Sequence, residues 1–527
     1  MTTRTFFVCP APPCPNGKLH LGHIGGVYLL TDLFVRFQRM RGHRAYHVTG
    51  ADEHGTYTVV KARKLGRPID EVAQLHIDEI MDCLRAMHIE PDVFIRTTDA
   101  THKQNSLNIF RELEAAGYID VRDGHQLYCE NCDEFVADSL AVGLCPACDA
   151  STDSNLCENC GLAQQHSKLR TPSHTSCGKP LSLRPIEQAV FDVPRMAAML
   201  DDAIKGSEWD QTIQRKARAW LRDELRPLPM SRIFDRGVTL EAPAKIAGQT
   251  LMTWFEGLWC FETGIRLQCA RDEVDYDTVM RDPDTRLLFF MGQDNRFYYT
   301  IGVTGSLLAR GYPLPANHSI QDFYKLEGEK FSTSRDHALW ADEVSRQVDP
   351  SVLRYALARI AKPFGTNNND FQIGELIRSA SHILAWESAL RRDSLHSANV
   401  DGSGLTPAHD DIVQRYITAM DQVRFWNALD LIDEYFVATG FGTSPETWRP
   451  VHVSVFLSML HPVMPVLAAR YGNVFFGEYW TPALGANATL LATPPRATAE
   501  FPPFGMPIAD SFIRQYQSRF QRAVDAA

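Results

Sequence analysis

The chain has 527 residues, 44% hydrophobic and 22% charged, with 53 Lys and Arg against 64 Asp and Glu for a net charge of −11. That length divides into about three or four domains at ~150 residues each, and the acidic balance excludes a surface coated for nonspecific nucleic-acid binding, so any RNA contact must be local. No apolar run of ~20 residues is present, which excludes a membrane-spanning helix, and the N-terminal stretch lacks the parts of a secretion signal, so a cytoplasmic protein is expected.

Residues 6–9 form a short apolar run that predicts a buried strand, and residues 10–17 a Pro-rich loop. Residues 19–40 carry apolar side chains at spacings of three and four and predict a helix, followed by a strand over 46–49 that ends at Gly50-Ala51-Asp52-Glu53-His54-Gly55. Strand, loop, helix and strand make a βαβ unit, and in open parallel sheets ligands bind beyond the carboxyl ends of the strands. Helical patterns continue over 70–87 and 103–116. A cysteine-rich region then interrupts the alternation until about residue 229, after which strands are expected over 250–254 and 287–290, the latter followed by Met291-Gly292-Gln293-Asp294. Beyond residue 371 the patterns predict antiparallel helices over 377–390, 410–425, 429–439 and 451–467, with a short tail from 502 that ends in a helix. Basic clusters at 36–44 and 215–226 are by themselves no more than solvated helix faces.

Between Cys129 and Cys177 lie seven of the twelve cysteines, in four knuckles: Cys129-x2-Cys132, Cys145-x2-Cys148, Cys157-x2-Cys160 and His174-x2-Cys177. Thiols spaced this way suit tetrahedral zinc, and four knuckles supply ligands for two ions. Occupancy of a single site, with stray thiols in the outer knuckles, is the alternative. In a reducing compartment such thiols are metal ligands rather than disulfides.

His20-Leu21-Gly22-His23 places two imidazoles three residues apart near a helix start. There the positive end of the helix favours phosphate oxygens. Gly22 removes a side chain where a flat base needs close backbone approach. Alone, such a pair fits a helix with solvent-facing histidines equally well. Far downstream, Gly328-Glu329-Lys330-Phe331-Ser332-Thr333-Ser334-Arg335 sets cations among small hydroxyl residues, a composition suited to charge building on a triphosphate.

Together, and in this order around the cysteine region, these segments resemble the class I aminoacyl-tRNA synthetases, and among them most closely the methionyl-tRNA synthetases. Pro15-Asn16-Gly17-Lys18-Leu19-His20-Leu21-Gly22-His23 matches that family's HIGH signature and Lys330 to Ser334 its KMSKS loop. The four knuckles match its two-zinc connective insertion. The resemblance implies an α/β chain: a Rossmann-like parallel sheet nucleotide-binding domain, with a zinc-binding insertion and a C-terminal α-helical bundle. Its parts run over 1–118 and 229–325 for the two halves of the catalytic domain, 119–228 for the insertion, 326–370 for the KMSKS-like loop and stem-contact region, 371–490 for the helices and 491–527 for the tail.

The implied activity is adenylation of an amino acid by ATP with Mg, then transfer to tRNA. The resemblance makes His20, His23, Lys330 and Arg232 catalytic. It gives ATP to Asn16, Gly22, Gly292, Asp294, Lys330, Ser332 and Ser334. The amino acid falls to Pro12, Cys14, Asp52, Trp254, Leu258, Phe261, Tyr299 and Val303, with Asp52 holding its α-ammonium. It pairs Cys145, Cys148, Cys157 and Cys160 in one structural zinc site and Cys129, Cys132, His174 and Cys177 in the other.

Several positions depart from the family. The aromatic before Asn16-Gly17 is missing, Glu256-Gly257-Leu258-Trp259-Cys260-Phe261 lacks the usual Ala-Pro and Tyr, and Tyr299 and Val303 stand where a histidine and a tryptophan are usual. The amino acid is therefore methionine or another. Thr333 replaces the loop's second lysine. Arg378-Ser379-Ala380-Ser381-His382 lacks the anticodon-reading Asn-x3-Arg, while Trp448 is the candidate for the anticodon-stacking ring. Transfer to a non-tRNA acceptor, or a non-catalytic tRNA-binding paralogue, are the alternative functions. A monomer is expected.

Overall fold

In the computed structural model the described residues are 3–153, 157, 168–223, 225–331, 337–394, 405–441, 450–477, 480–484 and 507–516. Five parallel strands form the central sheet, in the order Asn317–Gln321, Thr285–Gly292, Thr5–Pro10, Arg44–Ala51 and Val93–Arg96. All six residues of Thr5–Pro10 are buried, because helices cover both faces of a parallel sheet. Phe6 and Val8 enter one core with Leu33, Phe34 and Phe290, while Phe7 and Cys9 enter the other with Val48, Ile95 and Phe289. From the central strand the sheet grows outward in two directions. The crevice at the carboxyl ends of Thr5–Pro10 and Thr285–Gly292 is thus a topological switch point, the place where such sheets bind ligands.

The two central neighbours come from opposite sides of the cysteine-rich region, so the region is an insertion in the sheet's connectivity. It contains an antiparallel sheet built on Ile119–Cys129 against Ser182–Phe191, and a smaller one of Ser151–Asp153, Ala141–Leu144 and Arg170–His174. Helices Ile373–Ser394, Pro407–Asp421, Phe425–Ala438, Pro450–Leu460 and Pro465–Phe476 follow the central sheet. Their apolar faces are continuous with the core beneath Leu29–Met40. Arg354 locks this junction. Its buried guanidinium donates to Asp32 Oδ2 at 2.6 Å and to the carbonyls of Met87, Pro462 and Val463.

Three predicted elements differ from the structure. The helix expected over 19–40 is Leu21–His23, a π-helical turn Ile24–Tyr28, and Leu29–Met40. The Tyr324 hydroxyl donates to the Gly25 carbonyl inside that turn, drawing it out of the helical ladder. Of the strand expected over 250–254 only Thr250–Leu251 is extended, and Thr253 begins a short helix that holds Trp254, as Phe255 N and Glu256 N donate to the Met252 carbonyl. The helix expected over 451–467 breaks between Leu460 and Pro465, where Pro462 and Pro465 lack the N–H that helix interiors require. No helix among the described residues is long and apolar enough to cross a membrane.

Candidate active site

A cavity of about 620 Å³ opens at the switch point. Its walls bring together Pro12, Cys14, Asn16, His20, Gly22, His23, Asp52, Trp254, Leu258, Gly292, Asp294 and Lys330, residues drawn from both halves of the sheet domain. Arg232, Phe261, Tyr299 and Val303 are buried and stand outside this lining. Phe261 and Tyr299 instead pack on Phe289, with centroids 5.0 and 4.9 Å away. Ser332 and Ser334 lie outside the described residues, as does Trp448.

The two histidines are fixed by each other. His23 N donates to His20 Nδ1 at 3.2 Å and His20 N to His23 Nδ1 at 3.4 Å, so each ring accepts at Nδ1 and carries its proton on Nε2. The rings stack 3.7 Å apart, and Phe331 stacks on His20 at 4.9 Å. A Cβ on Gly22 would meet His20 Nδ1 at 3.0 Å and Phe331 Cδ2 at 3.1 Å. A side chain there would press on both rings, so glycine leaves room for the stack itself, where the sequence alone points to the approach of a base. Desolvation, the neighbouring His23 and Lys330 depress the His20 pKa well below the imidazole range. His23 is reached by solvent but enclosed by the cavity walls. This enclosure, followed by the Lys330 cation, brings it to about 4. Both imidazoles are therefore neutral N–H donors at pH 7. Lys330 Nζ sits 3.8 Å over the Phe323 ring at the same wall.

Asp52 marks the other end. Its backbone N donates to the Pro13 carbonyl, and its Oδ1 is buried with no hydrogen-bond partner among the described residues. Burial and then the nearby Glu256 carboxylate push its pKa up to about 7. Gly55 packs so tightly here that a Cβ would lie 2.7 Å from Asp52 Oδ2 and 2.8 Å from Cys14 Sγ. Behind Asp52, Glu256 is buried, which works to raise its pKa. His54 at 3.0 Å and His102 at 3.3 Å more than offset that and hold it at about 2.

Sequence reasoning missed several wall residues. Lys18 lines the cavity and bonds Asp342 at 2.9 Å and Glu343 at 3.2 Å, tying the first loop to the segment after Lys330. Its place inside the His20 motif was the available signal. Asp138 reaches the cavity from the insertion and forms a buried ion pair with Arg232. Nothing local in the sequence announces this, because the partners are 94 positions apart.

The pattern of the family described as tRNA synthetases class I (M) matches residues 6–387. The chain belongs to this family. Among curated relatives of this synthetase-family chain, a methionine–tRNA ligase of Methanobrevibacter smithii is 32% identical over 76% of the chain and 58% of its own length. One of Thermomicrobium roseum is 31% identical over 74% and 68%. The match thus spans little more than half to two thirds of these relatives' lengths. A crystal structure of the Mycobacterium tuberculosis methionyl-tRNA synthetase bound by methionyl-adenylate shares the fold at a TM-score of 0.73 and 20% identity, covering 95% of this chain and all of that one.

The insertion of this synthetase-family chain holds two clusters able to bind a metal, Cys129, Cys132, His174 and Cys177, and Cys145, Cys148 and Cys157. Cys160 lies outside the described residues. In the first cluster Cys129 Sγ and Cys177 Sγ are 3.6 Å apart, and His174 Nδ1 is 3.5 Å from both Cys132 Sγ and Cys177 Sγ. In the second, Cys148 and Cys157 are 3.6 Å apart. Ligands on a tetrahedral zinc lie about 3.5–3.8 Å from one another, so these donors fit that ion. His174 Nε2 faces Glu134 at 3.6 Å, the kind of outer partner that orients a ligating imidazole.

Proposed function

We propose that this chain adenylates an amino acid with ATP and Mg and transfers the aminoacyl group to tRNA. The observation that carries the reading is the convergence of His20, His23, Lys330 and Asp52 on one cavity at the sheet's switch point. An ammonium seeks the buried Asp52 oxygen that has no partner among the described residues, and the triphosphate seeks the Nε2–H groups of His20 and His23 and the Lys330 cation.

The substrate carboxylate then attacks the α-phosphorus in line. The bond to the bridging oxygen breaks, and pyrophosphate leaves with the electron pair. A ribose hydroxyl of the tRNA end next attacks the acyl carbon and expels AMP. Neutral imidazoles donate to phosphoryl oxygens without needing a proton from solvent, so their contribution grows only as charge develops. Asn16, Gly292 and Asp294 hold the nucleotide. Ser332 and Ser334, which follow Lys330 in the sequence, serve the phosphates of the nucleotide. Arg232 acts through Asp138 at the cavity edge. Pro12, Cys14, Trp254 and Leu258 face the amino-acid side chain, with Phe261, Tyr299 and Val303 backing it. That side chain is methionine's or another apolar one these walls accept. Two zinc ions hold the insertion together, and Cys160 completes the second site. The protein works in the cytoplasm as a monomer.

Amino-acid-dependent exchange of pyrophosphate into ATP, screened over the common amino acids, tests the reading. Exchange with one or a few of them is expected, and none with any would end it. A second reading keeps adenylation and changes the acceptor. It is favoured by the helix carrying residues 378–382, where Arg378 is engaged by Glu375 at 2.8 Å and His382 by Asp433 at 2.6 Å. Acyl transfer to a small amine without added RNA would select it.

A further inference from the structure

The proposed chemistry makes no use of one buried carboxylate behind the cavity wall. Glu256 is fully buried and does not line the cavity. Its two oxygens face two imidazoles, Oε1 at 3.0 Å from His54 Nδ1 and Oε2 at 3.3 Å from His102 Nε2. The far side of His102 is tied in turn: its Nδ1 lies 3.0 Å from the Thr263 hydroxyl oxygen, which accepts from Asn105 Nδ2 at 3.0 Å. A hydroxyl donates as well as accepts, so a neutral His102 can take the Thr263 proton at Nδ1 and give its Nε2–H to Glu256. The cluster draws on four segments: the loop after Arg44–Ala51, and the helices Ala100–Ala115, Thr253–Glu256 and Cys260–Arg271.

Asp52 is seated on the turn that follows Glu256. A Cβ on Gly257 would lie 2.7 Å from the Thr253 carbonyl oxygen and 3.3 Å from Asp52 Cγ, so the carboxyl rests against bare backbone one residue beyond Glu256. The fold treats the two acids differently. Against its own burial, His54 and His102 hold the Glu256 pKa at about 2, which leaves it ionised at every pH where Asp52 titrates. Asp52 keeps an oxygen buried with no partner among the described residues. Its other charged or titratable neighbours are His54 on its own loop, Cys14 of the first loop, Arg232, Asp138 of the insertion and Cys260. His54 and Arg232 draw the Asp52 proton off, while Asp138, itself paired with Arg232, adds to the push of Glu256. Burial raises both thiols, so they add no charge.

Two neighbouring buried carboxylates are both ionised only when enough positive charge or enough donors face each of them. Glu256 already has its donors. The positive charge that Asp52 lacks must therefore arrive with a ligand, and an ammonium supplies it. On that arrival the Asp52 carboxyl gives its proton to solvent and holds the ammonium as a carboxylate.

We infer that Glu256, fixed by His54 and His102, is a positioning residue of the amino-acid site, whose constant charge keeps Asp52 protonated while the site is empty and makes it exchange that proton for the substrate's ammonium. The inference rests on the proposed role of Asp52 and names the group that controls it. An empty cavity then holds no unpaired buried anion, and amino-acid binding below neutral pH is coupled to the release of one proton.

The test is infrared difference spectroscopy on the full chain, which reads the carbonyl band of a buried protonated carboxyl without any ligand. The wild type at about pH 6 should show such a band, absent from Asp52→Asn, that titrates away with a midpoint at about 7. Glu256→Gln keeps the shape of the side chain and removes its charge, so the midpoint should fall by at least about 1 pH unit, the scale of one neighbouring charge. Glu256→Asp keeps the charge and should move the midpoint by less than half as much. A fold merely loosened at this position would admit water and lower both midpoints alike, so the pair separates charge from packing. No band in the wild type, a band that survives in Asp52→Asn, equal midpoints in the wild type and Glu256→Gln, or equal falls in the two Glu256 variants overturns the inference. Calorimetry on the wild type, in buffers of different ionisation enthalpy, needs no variant to fold. The amino acid that supports exchange should release about one proton on binding at about pH 6 and none at about pH 9, and no release at the lower pH also overturns it. Pyrophosphate exchange is read separately. Exchange without the carboxyl band removes the role of Glu256 and leaves adenylation standing, whereas the band without exchange does the reverse.

Discussion

His20 and His23 stack with ring centroids 3.7 Å apart and planes 13° apart, each accepting the other's backbone N–H at Nδ1. The pair is a single preorganised donor unit. His20→Ala or His23→Ala each should lower the pyrophosphate-exchange rate by about 10²–10³, the range for removing one transition-state donor, with KM for ATP changed far less. Because either substitution also releases the partner ring, the double variant should lose much less than the product of the two. Steady-state exchange kinetics on the three variants check this, and simple multiplicativity would contradict the shared unit.

The raised pKa of Asp52 gives amino-acid binding a pH dependence of defined sign. Only the ionised carboxylate attracts an ammonium, and the protonated form dominates below about 7. Affinity for the amino acid should therefore rise about tenfold per pH unit up to about 7 and level off above it. In the free protein the sign for stability is opposite. A carboxyl whose folded pKa exceeds its unfolded value near 4 costs stability as pH climbs from there through 7, a cost that bound substrate offsets. Calorimetric titration at several pH values reads the first effect. Asp52→Asn should bind weakly and flatly with pH, and an equally steep profile in that variant would clear Asp52 of the role.

Metal content separates the two insertion clusters. The wild-type chain should contain two zinc ions by atomic emission. His174→Ala should retain one, while His174→Cys, which restores a tetrahedral donor, should retain both. Structural zinc supplies folding energy, so chelation should expose the insertion to protease before the sheet domain. Full zinc content in His174→Ala would show that the imidazole is not a ligand.

Arg354 is fully buried and its loss strands Asp32 and several carbonyls. Burial works to raise the Asp32 pKa, but Arg354 and Arg36 overcome it and hold it below the ordinary carboxylate value. That pairing contributes stability above about pH 4 and loses it as pH falls further. Arg354→Leu should cost about 3–5 kcal/mol by denaturant unfolding and blunt this acid sensitivity, with Arg36 keeping part of the pairing. A loss under about 1 kcal/mol would mean that the junction is held by its apolar faces alone.

Strands at 6–9 and 46–49 and the long helices were legible because backbone periodicity is local: side-chain alternation within a few residues decides which face is buried. Those readings failed where distant groups intervened, as the Tyr324 hydroxyl does at Gly25, 299 positions away. The site was legible to the same extent. His20, His23, Asp52 and Lys330 stood out as motif residues and all face one cavity, but Phe261, Tyr299 and Val303 line none of it. A position in a motif specifies residue type, whereas the direction of a side chain depends on what packs against it.

By itself, then, the order of residues determined the family, the α/β alternation, the knuckle spacing and the presence of two imidazoles beside a helix start. Tertiary structure alone decided that Phe331 stacks on His20, that Asp52 keeps an oxygen with no partner among the described residues, and that Asp138 of the insertion meets Arg232. Covalent neighbours and local hydrogen bonds act over a few residues. Desolvation, ion pairing and long-range ring stacking depend on groups that folding brings together from distant positions, and those forces set protonation and reach.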